Sequence, residues 1–264
     1  MAEAGKLYVC STPIGNLGDI TRRVADTLGM VDAILAEDTR VTLKLLQHLE
    51  LATPLERCDE NVIRRRSEAV IGRLAAGENL AYVTDAGTPG VSDPGSFLVS
   101  AARAAGIQVE VLPGPSSVLA ALVASGFYAP SFYFGGFLPR KNGEKTALLE
   151  QLAPLQAVLV FFESPHRFLS SLQTVSMVYP DRLVCMAREL TKMHEEVIVD
   201  YPEKLLGLLN EKQDRGQALK GETVLLIDAP PKPAGSAHID RYSSQKDDAQ
   251  HSAPLAGIDG ASLT

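Results

Sequence analysis

A loop dense in glycine and proline, directly behind an apolar run, is the feature that most constrains this fold. Residues 82–95 read YVTDAGTPGVSDPG, and Leu80–Val83 supplies the apolar run. Glycine permits positive φ and close approach by a ligand, whereas proline fixes φ, so together they form a rigid loop. Ligands of open α/β sheets bind at the carboxyl ends of strands. The stretch therefore predicts a ligand loop at the edge of a sheet.

Other apolar runs end in the same manner. They are residues 6–11 before TPIGNLG, residues 33–36 before EDTR and residues 108–112 before PGPSS. Between them, apolar residues recur at helical spacing, as in Ile20, Val24 and Leu28, with Asp19 as the expected N-cap. Alternating strands and helices predict a mainly parallel sheet flanked by helices. We therefore expect four loops to meet at one edge of that sheet.

The chain of 264 residues predicts an α/β protein with two α/β domains. Residues 1–126 form an N-terminal domain that carries the glycine- and proline-rich loops. Residues 127–229 form a second domain with some antiparallel pairing, because its closing strands lack long helical crossovers. Residues 230–264 have no apolar periodicity and predict a disordered tail. We expect the ligand cleft to lie between the two domains.

Composition restricts the classes of partner. A net charge of −7 argues against general coating of nucleic acid, so we expect no DNA partner and only local basic contacts. The chain lacks a signal-peptide pattern and an apolar run long enough for a membrane helix, so we expect a cytoplasmic protein without membrane contact. Cys10, Cys58 and Cys185 are far apart and predict reduced thiols rather than a metal site.

Neither of the two common nucleotide-binding fingerprints is present. The P-loop pattern G-x-x-x-x-G-K-[ST] and the Rossmann pattern G-x-G-x-x-G do not occur, and Gly15-x-x-Gly18 alone is a weak signal. The number of loops at strand ends still predicts a ligand that contacts the backbone closely.

Eight runs of residues, in order between positions 7 and 227, resemble a known family. They are STPIGNLGDIT, AEDTR, VTDAGTPGVSDPG, PGPSS, GGFLPRK, FFESPHR, ARELTKMHEE and KGETVLLI. Together they resemble the ribosomal RNA small subunit methyltransferase I family of the tetrapyrrole methylase superfamily, the class III methyltransferases. The combination of DAGTPG-x-SDPG with ESPHR and AREL-K is highly specific, whereas PGP alone is not.

The resemblance implies a homodimer that binds S-adenosyl-L-methionine in the cleft between two domains. It also implies 2′-O-methylation of a cytidine ribose in the decoding region of 16S rRNA, with 16S rRNA or the small ribosomal subunit as partner. The cofactor residues that it implies are Pro13, Gly87, Thr88, Val91, Ser116, Ser117, Phe162, Ala187, Glu222 and Thr223. The family often has a histidine-bearing segment before Asn61, and this chain has RCDE there instead.

Methyl transfer from a sulfonium to a ribose hydroxyl is an in-line displacement that a general base assists. Four residues at or just after strand ends are candidates for this base, namely Asp38, Asp85, Glu163 and His166. Glu189 also follows a strand, and an ion pair with Arg188 is its favoured role. The carboxylates have structural alternatives. Asp85 is equally suited to bracing its own loop, Asp38 to capping a helix or pairing with Arg40, and Glu163 to capping a helix.

Basic residues supply the candidate contacts to RNA phosphates, namely Arg40, Arg64, Arg140, Lys141 and Arg167. A run such as residues 64–66 also fits a solvated helix face, whereas Arg140 and Lys141 lie in a glycine-flanked loop and are favoured. Two other functions stay open. One is methylation of a tetrapyrrole precursor, and the other is a non-catalytic module for cofactor binding or ribosome assembly.

Overall fold

The computed structural model describes residues 3–93, 95–128 and 130–231, without the side chains of residues 60, 61, 64 and 65. The predicted tail, residues 230–264, lies outside these ranges apart from its first two residues. Residues 1–230 belong to one compact unit, which contains two sheets.

The first sheet is parallel throughout its described pairs. Its strands are β1 Lys6–Cys10, β2 Ala33–Ala36, β3 Leu55–Arg57, β4 Leu80–Val83 and β5 Gln108–Leu112, in the order β3-β2-β4-β1-β5. Strands β2 and β4 are buried at every position, which explains why they read as continuous apolar runs rather than as alternating ones. The predicted parallel sheet is confirmed. Strand β3 was not predicted, because three residues carry too little periodicity.

Helices cover both faces of this sheet. They are α1 Arg22–Met30, α2 Thr39–His48, α3 Glu60–Ala75 and α4 Gly95–Ala104, and a fifth helix, α5 Ser117–Ser125, follows β5. An apolar core lies on each face of the sheet. In strand β1, Leu7 packs in one core and its neighbour Tyr8 packs in the other. The predicted N-cap Asp19 is wrong. Thr21 caps α1 by accepting a hydrogen bond from the Val24 amide, and Asp19 ends a short 3₁₀ turn before it.

The second sheet is mixed. Its strands are β6 Phe132–Phe137, β7 Val158–Glu163, β8 Val184–Arg188, β9 Glu196–Asp200 and β10 Thr223–Ile227, in the order β6-β7-β10-β8-β9. Only the β6–β7 pair is parallel among the described pairs, so the predicted antiparallel pairing is confirmed. The accompanying helices are α6 Asn142–Leu152, α7 Pro165–Val178 and α8 Pro202–Asp214. Phe161, Phe168 and Leu225 pack in the core under them.

Helix α5 links the two sheets. It follows the last strand of the first sheet, yet Val118 and Ala121 on it pack in a buried cluster with Val160 and Leu226 of the second sheet. Ile14, from the loop after β1, belongs to the same cluster. The two-sheet α/β architecture agrees with the predicted fold class, and the division at residue 126 stays a prediction.

Two glycines of this fold are expected to respond oppositely to alanine. A Cβ at Gly95 would lie 2.6 Å from Tyr82 Cε1, and the Tyr82 ring is buried, so Gly95→Ala should lower the free energy of unfolding by about 1–3 kcal/mol. Gly72, inside α3, has no atom within 4 Å of such a Cβ. Gly72→Ala should raise the free energy of unfolding by about 0.5–1 kcal/mol through helix propensity. Urea unfolding of both variants measures these changes. Changes of the same sign in the free energy of unfolding would contradict the prediction.

Candidate functional site

The loops after β1 and β4 are joined by their backbones. The Thr12 amide donates to the Gly87 carbonyl at 2.9 Å, and the Gly87 amide donates to the Thr12 carbonyl at 3.1 Å. The Ser11 hydroxyl adds a bond to Thr88 Oγ1 at 3.0 Å. Gly87 has a φ of +81°, in the left-handed region that favours glycine. The glycine- and proline-rich loop is therefore fixed against its neighbour at the carboxyl edge of the sheet, as predicted.

A cleft of about 460 Å³ lies between this edge and the second sheet. Six of the ten predicted cofactor residues line it, namely Val91, Ser117, Phe162, Ala187, Glu222 and Thr223. The other four, Pro13, Gly87, Thr88 and Ser116, do not line the cleft. Three of those four are chain neighbours of the lining residues Ile14, Ala86 and Ser117. The structure thus brings together segments that are far apart in the sequence.

Asp93 organises the loop that carries Val91. One carboxylate oxygen accepts from the amides of Gly90 and Val91, and the other accepts from the Gly95 amide at 2.7 Å. Burial raises the pKa of Asp93, and these three amide bonds oppose that rise. Asp93 was not among the predicted site residues. Its position between two glycines in a turn was the available signal, because aspartate side chains commonly bind nearby backbone amides.

Two carboxylates face the cleft from the first sheet. Asp85 follows β4 and accepts a hydrogen bond from the Asp38 amide at 3.0 Å. Burial, and then the charge of Asp38, raise the pKa of Asp85. Glu37 follows β2, and its pKa is raised by burial and by the charges of Asp85 and Asp93. Glu37 was missed in the sequence, where only its position after a strand marked it.

Asp38 is a helix cap and an ion-pair partner. It caps α2 by accepting from the Arg40 amide at 2.8 Å, and its other oxygen lies 2.6 Å from Arg40 Nη2. The Arg40 guanidinium lowers the pKa of Asp38 to about 2. Neither residue is among those that line the cleft. This geometry matches the structural alternative for Asp38, and it turns Arg40 towards a neighbouring carboxylate.

Glu163 is the centre of a buried polar network in the second sheet. Its side chain is 0% exposed, and it accepts hydrogen bonds from the Ser164 amide, the Ser171 hydroxyl and Arg167 Nη2, the last at 3.1 Å. The Thr223 hydroxyl donates to its backbone carbonyl. A carboxylate with this many donors is suited to structural support. Glu163 nevertheless belongs to the cleft lining, together with Ser164 and Pro165.

The remaining predicted residues are not among those that line the cleft. His166 is exposed on the first turn of α7 and does not line the cleft. Arg140 and Lys141 are exposed between β6 and α6, with Lys141 Nζ 2.9 Å from Glu144. Arg64 is part of α3, and its side chain is outside the described residues. Among the predicted RNA contacts with described side chains, Arg40, Arg140 and Lys141 are exposed, and Arg167 is half-buried.

A strained loop after β8 packs against the loop after β1. Glu189 and Thr191 both have positive φ, at +51° and +65°. Glu189 Oε1 accepts from Lys192 Nζ at 2.8 Å and from the Glu222 amide at 2.9 Å, which fixes the start of β10. A Cβ at Gly15 would lie 2.8 Å from Thr191 Oγ1 and would overlap the Lys192 side chain. The two sides of the cleft are thus in contact at this point.

Three further features of the described residues concern metal ligands, membrane helices and cysteines. No group of three or more His, Cys, Asp or Glu side chains there is placed to hold a metal ion. No helix in the same part of the chain combines the length and the apolar character needed to cross a membrane. The three cysteines are free and buried, and burial raises the pKa of Cys10 to about 12, of Cys58 to about 11 and of Cys185 to about 12.

Solved structures with a similar fold include several methyltransferases. Uroporphyrin-III C-methyl transferase from Thermus thermophilus, complexed with S-adenyl homocysteine, has a TM-score of 0.58 at 17% identity, over 85% of this chain and 97% of that one. Cobalt precorrin-4 methyltransferase has a TM-score of 0.63 at 18% identity, over 84% of this chain and 94% of that one. At such low identity these likenesses show the fold alone.

Sequence comparison is more specific. Residues 6–205 match the family of Tetrapyrrole (Corrin/Porphyrin) Methylases. The chain is 42% identical to ribosomal RNA small subunit methyltransferase I of Synechocystis sp., over 81% of this chain and 77% of the relative. It is 43% identical to the protein of that name in Bacillus subtilis, over 82% and 74% respectively. For the Thermotoga maritima protein the identity is 42%, over 81% and 96%. The chain therefore belongs to the ribosomal RNA small subunit methyltransferase I family, within the tetrapyrrole methylases.

Proposed function

We propose that this protein transfers a methyl group from S-adenosyl-L-methionine to the 2′-oxygen of a cytidine ribose in the decoding region of 16S rRNA. The observation that carries the proposal is the cleft, whose lining combines the predicted cofactor residues of both sheets. The relatives at 42–43% identity are named as rRNA methyltransferases, which supports an RNA acceptor over a macrocycle. The proposal places the protein in the cytoplasm as a homodimer that acts on 16S rRNA or the small subunit.

The cleft has the properties of a site for this methyl donor. Its volume lies within the range typical of small-molecule sites, roughly 300–1,000 Å³. Thr84 lines it and is only 4% exposed, and within the described residues its hydroxyl has no hydrogen-bond partner. A buried polar atom of this kind fits a polar ligand. When bound, the cofactor supplies an electrophilic methyl group on a sulfonium.

Asp85 is the residue that we propose as general base. It lines the cleft and is exposed, while the other predicted carboxylates, Asp38 and Glu163, are held by arginine partners. The pKa of Asp85 is raised and so lies closer to neutral pH, which favours proton uptake by its carboxylate in the transition state. Glu37 also lines the cleft, and burial and then the charge of Asp85 raise the pKa of Glu37.

Arg140 and Lys141 are the phosphate contacts that we propose. They project from the exposed segment between β6 and α6, a few residues after the cleft-lining Phe137. Each phosphate contact of this kind adds salt dependence to RNA binding. Arg167 is less suited, because it is held by the buried Glu163 carboxylate. Arg40 is less suited because its guanidinium binds both oxygens of Asp38, whereas Lys141 pairs through one bond with the exposed Glu144.

A labelling assay tests the reaction class. The protein is incubated with methyl-labelled S-adenosyl-L-methionine and either unmodified small ribosomal subunits or a tetrapyrrole precursor. We expect label in RNA dinucleotides that resist alkali, because a methylated 2′-oxygen cannot attack the adjacent phosphate. Label in the macrocycle and not in RNA would reject the proposal. Tight cofactor binding with no transfer to either acceptor would favour a non-catalytic module.

Replacing the proposed base should change the pH dependence of the rate. Asp85 must be ionised to accept a proton, so the wild-type rate should fall as the pH drops through a pKa above the ordinary aspartate range. We expect Asp85→Asn to lower kcat about 100-fold or more and to abolish that acidic limb, with cofactor affinity retained. Asp38→Asn, which keeps a capping side chain, is the comparison. A larger loss of kcat in Asp38→Asn than in Asp85→Asn would assign the base to Asp38.

Gly87→Val should weaken cofactor binding. The φ of +81° disfavours any residue with a Cβ, and the Gly87 backbone holds the loop after β4 to Thr12. The matched control is Gly106→Val. Gly106 has a φ of +74° and lies between α4 and β5, at the opposite end of the sheet, and a Cβ there would have no atom within 4 Å. Calorimetry should show at least ten-fold weaker S-adenosyl-L-methionine binding for Gly87→Val and an unchanged affinity for the control. Equal affinities would remove Gly87 from the site.

A further inference from the structure

Strand β6 contains a bulge at two consecutive glycines. The register between β6 and β7 shifts between Phe134 and Phe137, across Gly135 and Gly136. A Cβ at Gly135 would overlap the Phe161 ring, and Gly136 has a φ of +65°. Both positions therefore require glycine. Bulges next to sites change the direction of a side chain, and the side chain that follows this one is Phe137.

Phe137 lies at the cleft with its ring accessible. It is 58% exposed and belongs to the cleft lining, so it is a large apolar side chain presented to solvent at a site. Its ring packs edge-on against Phe162, with centroids 5.5 Å apart and an interplanar angle of 63°. The contact with Phe162 supports the ring from the side of the second sheet and leaves more than half of its surface free.

The backbone around Phe137 is fixed on both sides. Phe137 pairs with Phe162 of β7 once the register resumes. The next residue, Leu138, is 1% exposed, and its carbonyl accepts from Arg167 Nη2 at 2.6 Å. Arg167 is held in turn by the buried Glu163 carboxylate. A surface that is ordered before binding loses less conformational entropy when a ligand stacks on it.

We propose that Phe137 is the stacking platform for the base of the target cytidine, so that the ribose 2′-oxygen is presented to the cleft. This inference rests on the proposed RNA acceptor. Bases that proteins recognise outside a helix stack on aromatic rings, and every base has a π-face to offer. Phe137 and the proposed base Asp85 line the same cleft.

The neighbouring charges favour the RNA base over the adenine of the cofactor. Arg140 and Lys141 follow Phe137 by three and four residues and are exposed. Cationic side chains so close in sequence to the aromatic ring suit the phosphates that flank a target nucleotide. S-adenosyl-L-methionine has no phosphate, and its sulfonium and ammonium groups outweigh its one carboxylate, so these cations suit the polyanionic RNA better than the cofactor.

Substitution of the ring tests the proposal. Phe137→Leu keeps an apolar side chain and removes the π-face, whereas Phe137→Tyr keeps both. Phe132→Leu is the matched control, because Phe132 is an exposed phenylalanine at the other end of β6, outside the cleft lining. With small ribosomal subunits as acceptor, we expect Phe137→Leu to raise KM about ten-fold or more, the loss of one base stack. Phe137→Tyr should restore the wild-type KM, and Phe132→Leu should leave it unchanged.

The affinity for S-adenosyl-L-methionine shows whether the ring of Phe137 stacks on the target cytosine or on the adenine of the cofactor. It should be unchanged in Phe137→Leu, and weaker cofactor binding in that variant would overturn the proposal in favour of adenine. An unchanged KM in Phe137→Leu, with active wild-type protein, would overturn the platform and leave the proposed function intact. A wild-type protein that transfers no methyl group to RNA would reject both. Equal thermal unfolding of the Phe137 and Phe132 variants confirms that each is folded.

Discussion

The buried carboxylate of Glu163 supports one side of the cleft. It accepts hydrogen bonds from the start of α7 and from Arg167, while its own carbonyl accepts from Thr223 on β10. Arg167 extends the network to the backbone at Leu138. Removing one partner of a buried pair costs about 3–5 kcal/mol, because the other charge is left uncompensated. The positions of β10, α7 and the segment after β6 therefore depend on one charged group.

The other side of the cleft is held mainly by backbone groups. Thr12 and Gly87 exchange two amide hydrogen bonds, and Asp93 binds three amides of its own loop. Here the geometry comes from permitted φ values and short local bonds. The cleft thus combines a side supported by a buried ion pair with a side supported by main-chain bonding. This division agrees with the three glycines of the loop after β4 and with the charged residues of FFESPHR after β7.

The sequence predicted the features that depend on local chemistry. The loop after β4, the parallel first sheet and the mixed second sheet follow from turn residues and apolar runs, and they are confirmed. Roles that depend on distant partners were not predictable. The bond from Arg167 to the Leu138 carbonyl joins residues that are 29 positions apart and requires the folded second sheet. From the sequence alone, Arg167 was therefore predicted to contact an RNA phosphate. Glu37 lies in the AEDTR run but was not selected, because its importance comes from its closeness to Asp85 and Asp93 in space.

The contact between Gly15 and the loop at Thr191 and Lys192 has a consequence for the acceptor. Because the two sides of the cleft are already in contact there, the cleft cannot widen at that point without separating packed groups. In the proposed reaction, the RNA rather than the protein then changes conformation on binding. A nucleotide in a paired, stacked helix would have to leave its neighbours at a cost of a few kcal/mol, whereas a nucleotide in a loop would not. For the proposed RNA acceptor, this contact would favour an unpaired target nucleotide before any base edge is read.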